Sequence, residues 1–178
     1  ESTGCSGNIT AGKSNAGVPR NRPLFSGRIY EAMRASEQAS ERRPLESVSW
    51  RVEQVCLPPR QDLDEEELLG VIGRPATEKE TEKVKSKAAL MLTYKRRWET
   101  PIPITCLQLN GEVGILHLPG ETFIEYQLFA QGLWPEAFVA VAGYGDLGPG
   151  YITLARSFAE GGYEPTDSFV SGEAEQIM

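Results

Sequence analysis

The sequence feature that most constrains the fold is a succession of strand, turn and loop signals over residues 114–165. Apolar residues lead to Leu118, and Pro119-Gly120 ends that strand because proline lacks a ladder N–H and glycine accepts turn dihedral angles. From Glu121 onward, the spacing predicts an amphipathic helix with an acidic first turn. The inner face of this helix would hold Phe123, Tyr126, Ala130 and Leu133.

Glu121 itself has two interpretations. A carboxylate in a first helical turn is favoured by the helix dipole whatever the protein does. The same position lies after the carboxyl end of a strand, at the rim of a sheet where ligand sites gather. Glu121 is therefore either an ordinary helix-start residue or a ligand-binding residue.

Two further patterns indicate a sheet. The apolar segments 104–109 and 112–118 flank Asn110-Gly111, the strongest short hairpin signal because both turn residues accept positive φ. Residues 137–142 are continuously apolar, which predicts a strand buried on both faces. The hairpin would bring Glu121 to the rim of this sheet.

Helices and a further strand are predicted in the first half of the chain. Apolar spacing predicts a helix over residues 21–36, and a long helix begins near Thr77 and ends in the basic triplet at residues 95–97. Alternation over residues 46–57 predicts a half-buried strand. Residues expected to face the core are Phe25, Ile29, Ala32 and Met33, then Val48, Trp50 and Val52, then Val84, Ala88, Met91, Tyr94 and Trp98. This order predicts an α/β fold, a mixed sheet with helices packed on it.

Composition restricts the class of protein and its partners. The 178 residues suit one domain or part of a larger one, and no internal boundary divides residues 1–178. A formal charge of −7 argues against nucleic acid as a partner. No apolar run approaches the roughly 20 residues of a transmembrane helix. The three cysteines form no CxxC pair, which argues against a thiolate zinc site. Compartment and oligomeric state stay open.

Residues 7–14, GNITAGKS, match the phosphate-binding loop pattern G-x-x-x-x-G-K-S. That loop needs an apolar strand before it and a helix that begins at its lysine, Lys13. Residues 1–6 are polar, and Gly17 and Pro19 oppose a helix after it. A nucleotide-binding loop is therefore the less favoured interpretation of these residues.

LPGE at residues 118–121, followed by GYITLARSFAEGGYEP at residues 150–165, resembles the catalytic domain of neutral/alkaline, non-lysosomal ceramidases and their bacterial relatives. In that family, the Glu of LPGE and the Tyr of Y-I-T are two of four zinc ligands, and two histidines earlier in the chain are the others. The resemblance implies that Glu121 and Tyr151 bind zinc. It also implies that Tyr163, twelve residues after Tyr151, lines the catalytic pocket.

The N-terminal turn resembles the same family more loosely. Ceramidases carry G-D-V-S-P-N or a variant here, and the serine is the proposed nucleophile or carbonyl-positioning residue. Alignment with GNITAG places Thr10 at the serine, whereas Asn8, Ala11 and Gly12 differ from the family pattern. Thr10 is therefore a candidate catalytic residue. From the residues alone, its hydroxyl is equally well explained as a turn group that bonds nearby backbone.

The resemblance leaves half of the zinc site unaccounted for. The chain has a single histidine, His117, at a position that is not a ligand in the family, and we expect it to be structural or solvent-facing. The chain is therefore expected to be the C-terminal part of a larger layered catalytic domain, with the two histidine ligands outside it.

The function that the resemblance implies is zinc-dependent hydrolysis of an N-acyl (amide) bond. The substrate would be an N-acylated small molecule or lipid such as ceramide, and the compartment secreted or periplasmic. The alternative is a diverged, non-catalytic relative that acts as a binding domain, which the change to Thr10 and the missing histidines favour.

Overall fold

The computed structural model describes residues 3–10, 16–75, 79–145 and 148–178. Its helices are α1 Asn21–Gln38, α2 Glu65–Gly73, α3 Lys79–Arg97, α4 Ile124–Leu133, α5 Ser157–Glu160, α6 Tyr163–Asp167 and α7 Ala174–Ile177. Its strands are β1 Val48–Val55, β2 Ile102–Leu109, β3 Val113–Pro119, β4 Glu121–Thr122, β5 Phe138–Gly145 and β6 Tyr151–Ile152.

The strands form two sheets. Four of them make the main sheet in the order β1-β2-β3-β5, in which β1, β2 and β3 are antiparallel neighbours and β5 runs parallel to β3. The second sheet is the short parallel pair β4 and β6. The predicted α/β class with a mixed sheet is therefore confirmed.

The Asn110-Gly111 hairpin is confirmed. Asn110 has φ 53° and Gly111 has φ 67°, and Leu109 pairs with Val113 across the turn. The Asn110 side-chain oxygen also accepts hydrogen bonds from the backbone N–H groups of Glu46 and Ser47, at 2.8 and 3.1 Å. One residue thus forms the β2–β3 turn and holds the start of β1 beside it.

The core lies between the main sheet, α3, α4 and the C-terminal segment. On α3, the predicted inner residues Ala88, Met91 and Tyr94 are buried, whereas Val84, also predicted to face the core, is 51% exposed. The Tyr94 hydroxyl donates to the Leu57 carbonyl at 2.8 Å. The start of this helix predicted at Thr77 lies outside the described residues. Other members of the core cluster are Ile102, Leu118, Phe123, Tyr126, Val139, Val141, Ile152, Leu154 and Val170.

The predicted inward faces of α1 and β1 are wrong. Ile29 and Met33 on α1 are 60% and 67% exposed, and no residue of α1 is buried. Trp50 on β1 is 55% exposed, since β1 is an edge strand whose sheet neighbour is β2. Spacing identifies an apolar face, but the element that would cover that face is set by tertiary packing.

The predicted helix start at Glu121 is also wrong. Glu121 belongs to β4, and α4 begins three residues later, at Ile124. The N–H groups of Glu121 and Phe123 donate to carbonyls of the β6 segment, so pairing with a distant strand outweighs the local helix signal. Phe123 and Tyr126 are buried as predicted, whereas Leu133 is exposed.

Candidate active site

The two residues proposed as zinc ligands are direct neighbours across two strands. Glu121 in β4 pairs with Tyr151 in β6, and Thr122 pairs with Ile152. Successive side chains of a strand point to opposite faces. Thr122 and Ile152 are fully buried on one face, so the half-buried Glu121 and Tyr151 share the other.

Tyr163 lies against this pair. The rings of Tyr151 and Tyr163 meet edge to face, with centroids 5.7 Å apart and planes at 87°. Hydrogen bonding with Tyr163, desolvation, and the hydrogen bonding and negative charge of Glu121 all raise the pKa of the Tyr151 phenol. The phenol is therefore protonated near neutral pH. The structure brings a carboxylate and two phenols to one point.

Glycines directly before both proposed ligands allow the two strands to meet. Gly120 has φ 60°, and a Cβ on it would lie 2.6 Å from the Gly150 carbonyl oxygen. Gly150 has φ 76°, and a Cβ there would lie 2.8 Å from the Asp167 carbonyl oxygen. A side chain at either position would both strain the backbone and separate the segments. The glycine in LPGE thus allows β4 to approach β6, and the glycine before YIT allows β6 to approach the segment at Asp167.

The N-terminal segment runs along β4 and the start of α4. The Gly7 N–H donates to the Thr122 carbonyl at 3.0 Å, and Asn8 accepts a hydrogen bond from the Ile124 N–H at 2.9 Å. The Asn8 amide also donates to Glu125 at 2.8 Å. Asn8 therefore caps α4, a role that the sequence did not reveal because helix and cap are far apart along the chain.

Thr10 is exposed, two residues after this cap. Within the described residues, no hydrogen bond joins it to Glu121, Tyr151 or Tyr163. Ala11 and Gly12, where the chain departs from the family pattern, lie outside those residues. The structure thus places the Thr10 segment beside the Glu121 strand, and it leaves the role of Thr10 a prediction.

The phosphate-loop interpretation gains no support. Residues 3–10 form no strand, and the first helix among the described residues begins at Asn21; Lys13 and Ser14 lie outside those residues. A Cβ on Gly7 would lie 2.5 Å from the Glu121 carbonyl oxygen. Close packing against β4 therefore explains the first glycine of the pattern without a nucleotide.

The donor set fits part of a zinc site. A carboxylate oxygen and a phenol oxygen on one face of a strand pair are acceptable ligands, although two donors do not complete a typical set of four. His117 is exposed, and its ring centroid lies 6.2 Å from that of Trp50 with the planes at 60°, which agrees with its prediction as a structural or solvent-facing residue. Across the described ranges, no three His, Cys, Asp or Glu residues cluster as a metal site would require.

Sequence reasoning missed Ser168, which connects β6, the strand of Tyr151, to α6, the helix of Tyr163. Ser168 is fully buried, and its hydroxyl lies 2.6 Å from the Tyr151 carbonyl oxygen and 2.9 Å from the Val170 carbonyl oxygen. Its N–H donates to the Glu164 carbonyl at 2.9 Å. No local pattern marks a serine for such a role, because its partners come from separate segments.

No family model and no curated protein matches the sequence. The structure, however, is similar to the crystal structure of neutral ceramidase from Pseudomonas aeruginosa, with a TM-score of 0.59 over 98% of this chain and 17% identity. This chain shares the fold of part of that ceramidase. It spans 34% of the length of the ceramidase chain, so the shared ceramidase fold is that of one portion of the larger protein.

In the part of the chain that the structure describes, no helix is both long enough and apolar enough to cross a bilayer.

Proposed function

We propose that this chain forms part of the catalytic domain of a zinc-dependent amidohydrolase that cleaves an N-acyl bond. The observation that carries the proposal is the register pairing of Glu121 with Tyr151, with Tyr163 packed on Tyr151. Three chemically suitable side chains from separate segments meet at one point. The similarity of the fold to part of a neutral ceramidase supports the same assignment.

Glu121 and Tyr151 are proposed as two of the zinc ligands. Zinc, when bound, supplies polarisation of the amide carbonyl and a water of near-neutral pKa. The Tyr151 phenol must lose its proton to ligate a metal. It interacts with the Glu121 carboxylate beside it. The remaining ligands are proposed to be two histidines outside this chain, because His117 is exposed beside Trp50.

Tyr163 is proposed to contact the substrate. Tyr163 is the first residue of α6 and is 60% exposed, so its phenol is accessible to a bound molecule. Its ring also packs edge to face against Tyr151. A neutral phenol can donate a hydrogen bond to the oxyanion that forms when an amide carbonyl is attacked.

Thr10 is proposed to supply a hydroxyl that positions the substrate carbonyl. The support is indirect: Gly7 and Asn8 fix the preceding turn against Thr122 and Ile124, next to the strand of Glu121. The substrate class is an N-acylated small molecule or lipid such as ceramide, and the net charge of −7 opposes a nucleic acid.

Zinc content and amide hydrolysis of the protein that contains this chain test the proposal. Glu121→Gln and Tyr151→Phe keep side-chain size and remove the ligand, so each should lower zinc content and abolish hydrolysis of a fluorogenic N-acyl substrate. The matched controls Glu112→Gln and Tyr30→Phe change exposed residues of the hairpin turn and α1, and should retain both. Unchanged zinc content in both ligand variants would contradict the assignment.

A non-catalytic binding domain is the second candidate. Thr10 in place of serine favours it, as does the single histidine of this sequence. The two candidates differ in whether paired histidines reach Glu121 and Tyr151. Zinc bound by the wild-type protein without any amide hydrolysis, or no zinc at all, would favour the binding domain.

A further inference from the structure

The helix that carries Tyr163 is fixed from its C-terminal side. Gly161 and Gly162 precede Tyr163 with φ 83° and 114°, and glycine restricts the backbone less than any other residue. The N-terminal connection therefore restrains α6 less than two non-glycine residues would. Contacts to residues 164–168 can therefore fix α6 from its C-terminal side and support the ring contact between Tyr163 and Tyr151.

Arg60 donates hydrogen bonds to the backbone carbonyls of this segment. Its Nη1 atom donates to the carbonyl oxygens of Pro165 and Thr166 at 2.9 Å each, and to that of Ser168 at 3.4 Å. Carbonyls at a helix C-terminus have no partner within the helix, and bonds from a guanidinium are stronger than neutral ones. The Arg60 side chain is only 15% exposed, so water competes little for these donors.

Asp62 holds the guanidinium in place. Its carboxylate accepts from Arg60 Nε at 2.9 Å and from Arg60 Nη2, a two-point contact that fixes the plane of the group. The backbone of the same segment is also anchored, since the Arg60 N–H donates to the Phe169 carbonyl at 3.1 Å and Pro59 bridges Val170. Arg60 is therefore a rigid support and not a mobile surface cation.

The segment that Arg60 supports contacts both phenol-bearing residues through the backbone. The Thr166 hydroxyl donates to the Tyr163 carbonyl at 2.6 Å. The Ser168 hydroxyl lies at the same distance from the Tyr151 carbonyl. Arg60 binds the carbonyl groups of Thr166 and Ser168 with one nitrogen, so it ties the position of α6 to the position of β6.

We propose that Arg60, oriented by Asp62, is a positioning residue that holds the Tyr163 phenol against Tyr151. Its catalytic consequence rests on the proposed function, whereas the geometric consequence concerns this chain alone. Arg60 does not contact the substrate in this proposal; it acts through residues 165–168.

The geometric part is tested by NMR on this chain with labelled aromatic residues. Arg60→Met keeps the side-chain stem and removes the donors, so nuclear Overhauser contacts between the rings of Tyr151 and Tyr163 should disappear. The Trp50–His117 ring contact, on the outer part of the main sheet, serves as an internal reference for the fold and should persist. Contacts between Tyr151 and Tyr163 that keep their wild-type intensity would overturn the proposal.

A second variant controls for general weakening of α6. Lys87→Met removes the ion pair between α3 and Asp167 on the same helix, and it should leave the Tyr151–Tyr163 contacts in place. Arg60→Lys keeps the positive charge but loses the planar guanidinium, so it should retain part of the Overhauser intensity between Tyr151 and Tyr163. This variant provides a test even if Arg60→Met fails to fold. Equal loss in Lys87→Met and Arg60→Met would reduce Arg60 to ordinary structural support.

The catalytic part is tested by a double-mutant cycle in the protein that contains this chain. Arg60→Met should lower kcat about 10- to 100-fold through misplacement of Tyr163, with KM and zinc content little changed. Combined with Tyr163→Phe, it should add little to the effect of Tyr163→Phe alone, because both act on one phenol. Fully additive effects would overturn the proposal. Loss of the zinc assignment would leave the NMR outcome standing, so the two failures are distinguishable.

Discussion

Glu121 and Tyr151 are register partners in the parallel pair of β4 and β6, which is separate from the main sheet. Their backbones are joined by the bond from the Glu121 N–H to the Gly150 carbonyl, at 2.9 Å. Behind them, Thr122 and Ile152 are fully buried. The short strand pair of β4 and β6 therefore holds the carboxylate and the phenol on a well-packed base, which is what the proposed ligand role would need.

Ile152→Ala should destabilise the chain by about 2–5 kcal/mol, because it removes a fully buried side chain and leaves a cavity under the platform. Ile29→Ala on α1 is the matched control: its side chain is 60% exposed, and its effect should stay within about 0.5 kcal/mol. Urea denaturation measures both free energies of unfolding. Equal effects of the two substitutions would contradict the described burial.

Gly120→Ala should destabilise the fold by more than about 1 kcal/mol, since its φ is 60° and the new Cβ would lie 2.6 Å from a carbonyl oxygen. Gly27→Ala makes the same chemical change in the middle of α1, where no atom lies within 4 Å of the new Cβ. That variant should be stabilised by about 0.5–1 kcal/mol. Thermal unfolding of both variants gives the comparison, and a neutral Gly120→Ala would refute the close approach.

Asn8→Ala should cost about 1 kcal/mol, because it removes the side-chain oxygen that accepts from the Ile124 N–H at the start of α4. Asn8→Asp restores the oxygen but places a carboxylate against Glu125, to which the Asn8 amide now donates. It should therefore also destabilise, and Glu125→Gln in the same chain should relieve the effect. The free energies of unfolding of these variants are measured at low ionic strength. Equal stability of Asn8→Asp and the wild type would contradict the Glu125 contact.

Stability should respond to acid through Asp62. The hydrogen bond from Arg60 lowers the pKa of Asp62 below its ordinary value in the folded chain. A lowered folded-state pKa gives stability that is present above the unfolded pKa and is lost as the pH falls through the folded pKa.

The Arg60–Asp62 contribution should thus be complete above about pH 5 and fade below about pH 4. It should stay below about 1 kcal/mol, because the Asp62 side chain is 64% exposed and solvent screens the pair. The difference in unfolding free energy between wild type and Asp62→Asn measures it across this range. A difference that does not shrink on acidification would contradict the role of the Asp62 charge.

Thr10→Ser and Thr10→Val separate a catalytic hydroxyl from a turn residue. Serine keeps the hydroxyl and should retain amide hydrolysis by the protein that contains this chain, whereas valine keeps the shape and should lower kcat about 100-fold or more. Zinc content should be unchanged in both. Full activity of Thr10→Val would remove Thr10 from the reaction and favour its interpretation as a turn residue.

Local chemistry made several elements predictable. Asn110-Gly111 forms a hairpin because both residues adopt positive φ readily, and Ala88, Met91 and Tyr94 mark the buried stripe of α3. The meeting of Glu121 with Tyr151 was predicted from family resemblance and not from spacing. The apolar residues of α1 gave a wrong prediction of burial, because helical apolar spacing is the same whether or not another element covers that face of the helix.

The hairpin of β2 and β3, most of the buried stripe of α3, and the residue types that could bind a metal or an oxyanion follow from local sequence alone. The tertiary structure alone decided that Glu121 lies in a strand beside Tyr151 and that Asn8 caps α4. It also decided that Arg60 supports the helix of Tyr163. The physical reason is that local dihedral preferences act over a few residues, whereas these contacts join segments that approach only when the backbone hydrogen bonds and the core form together.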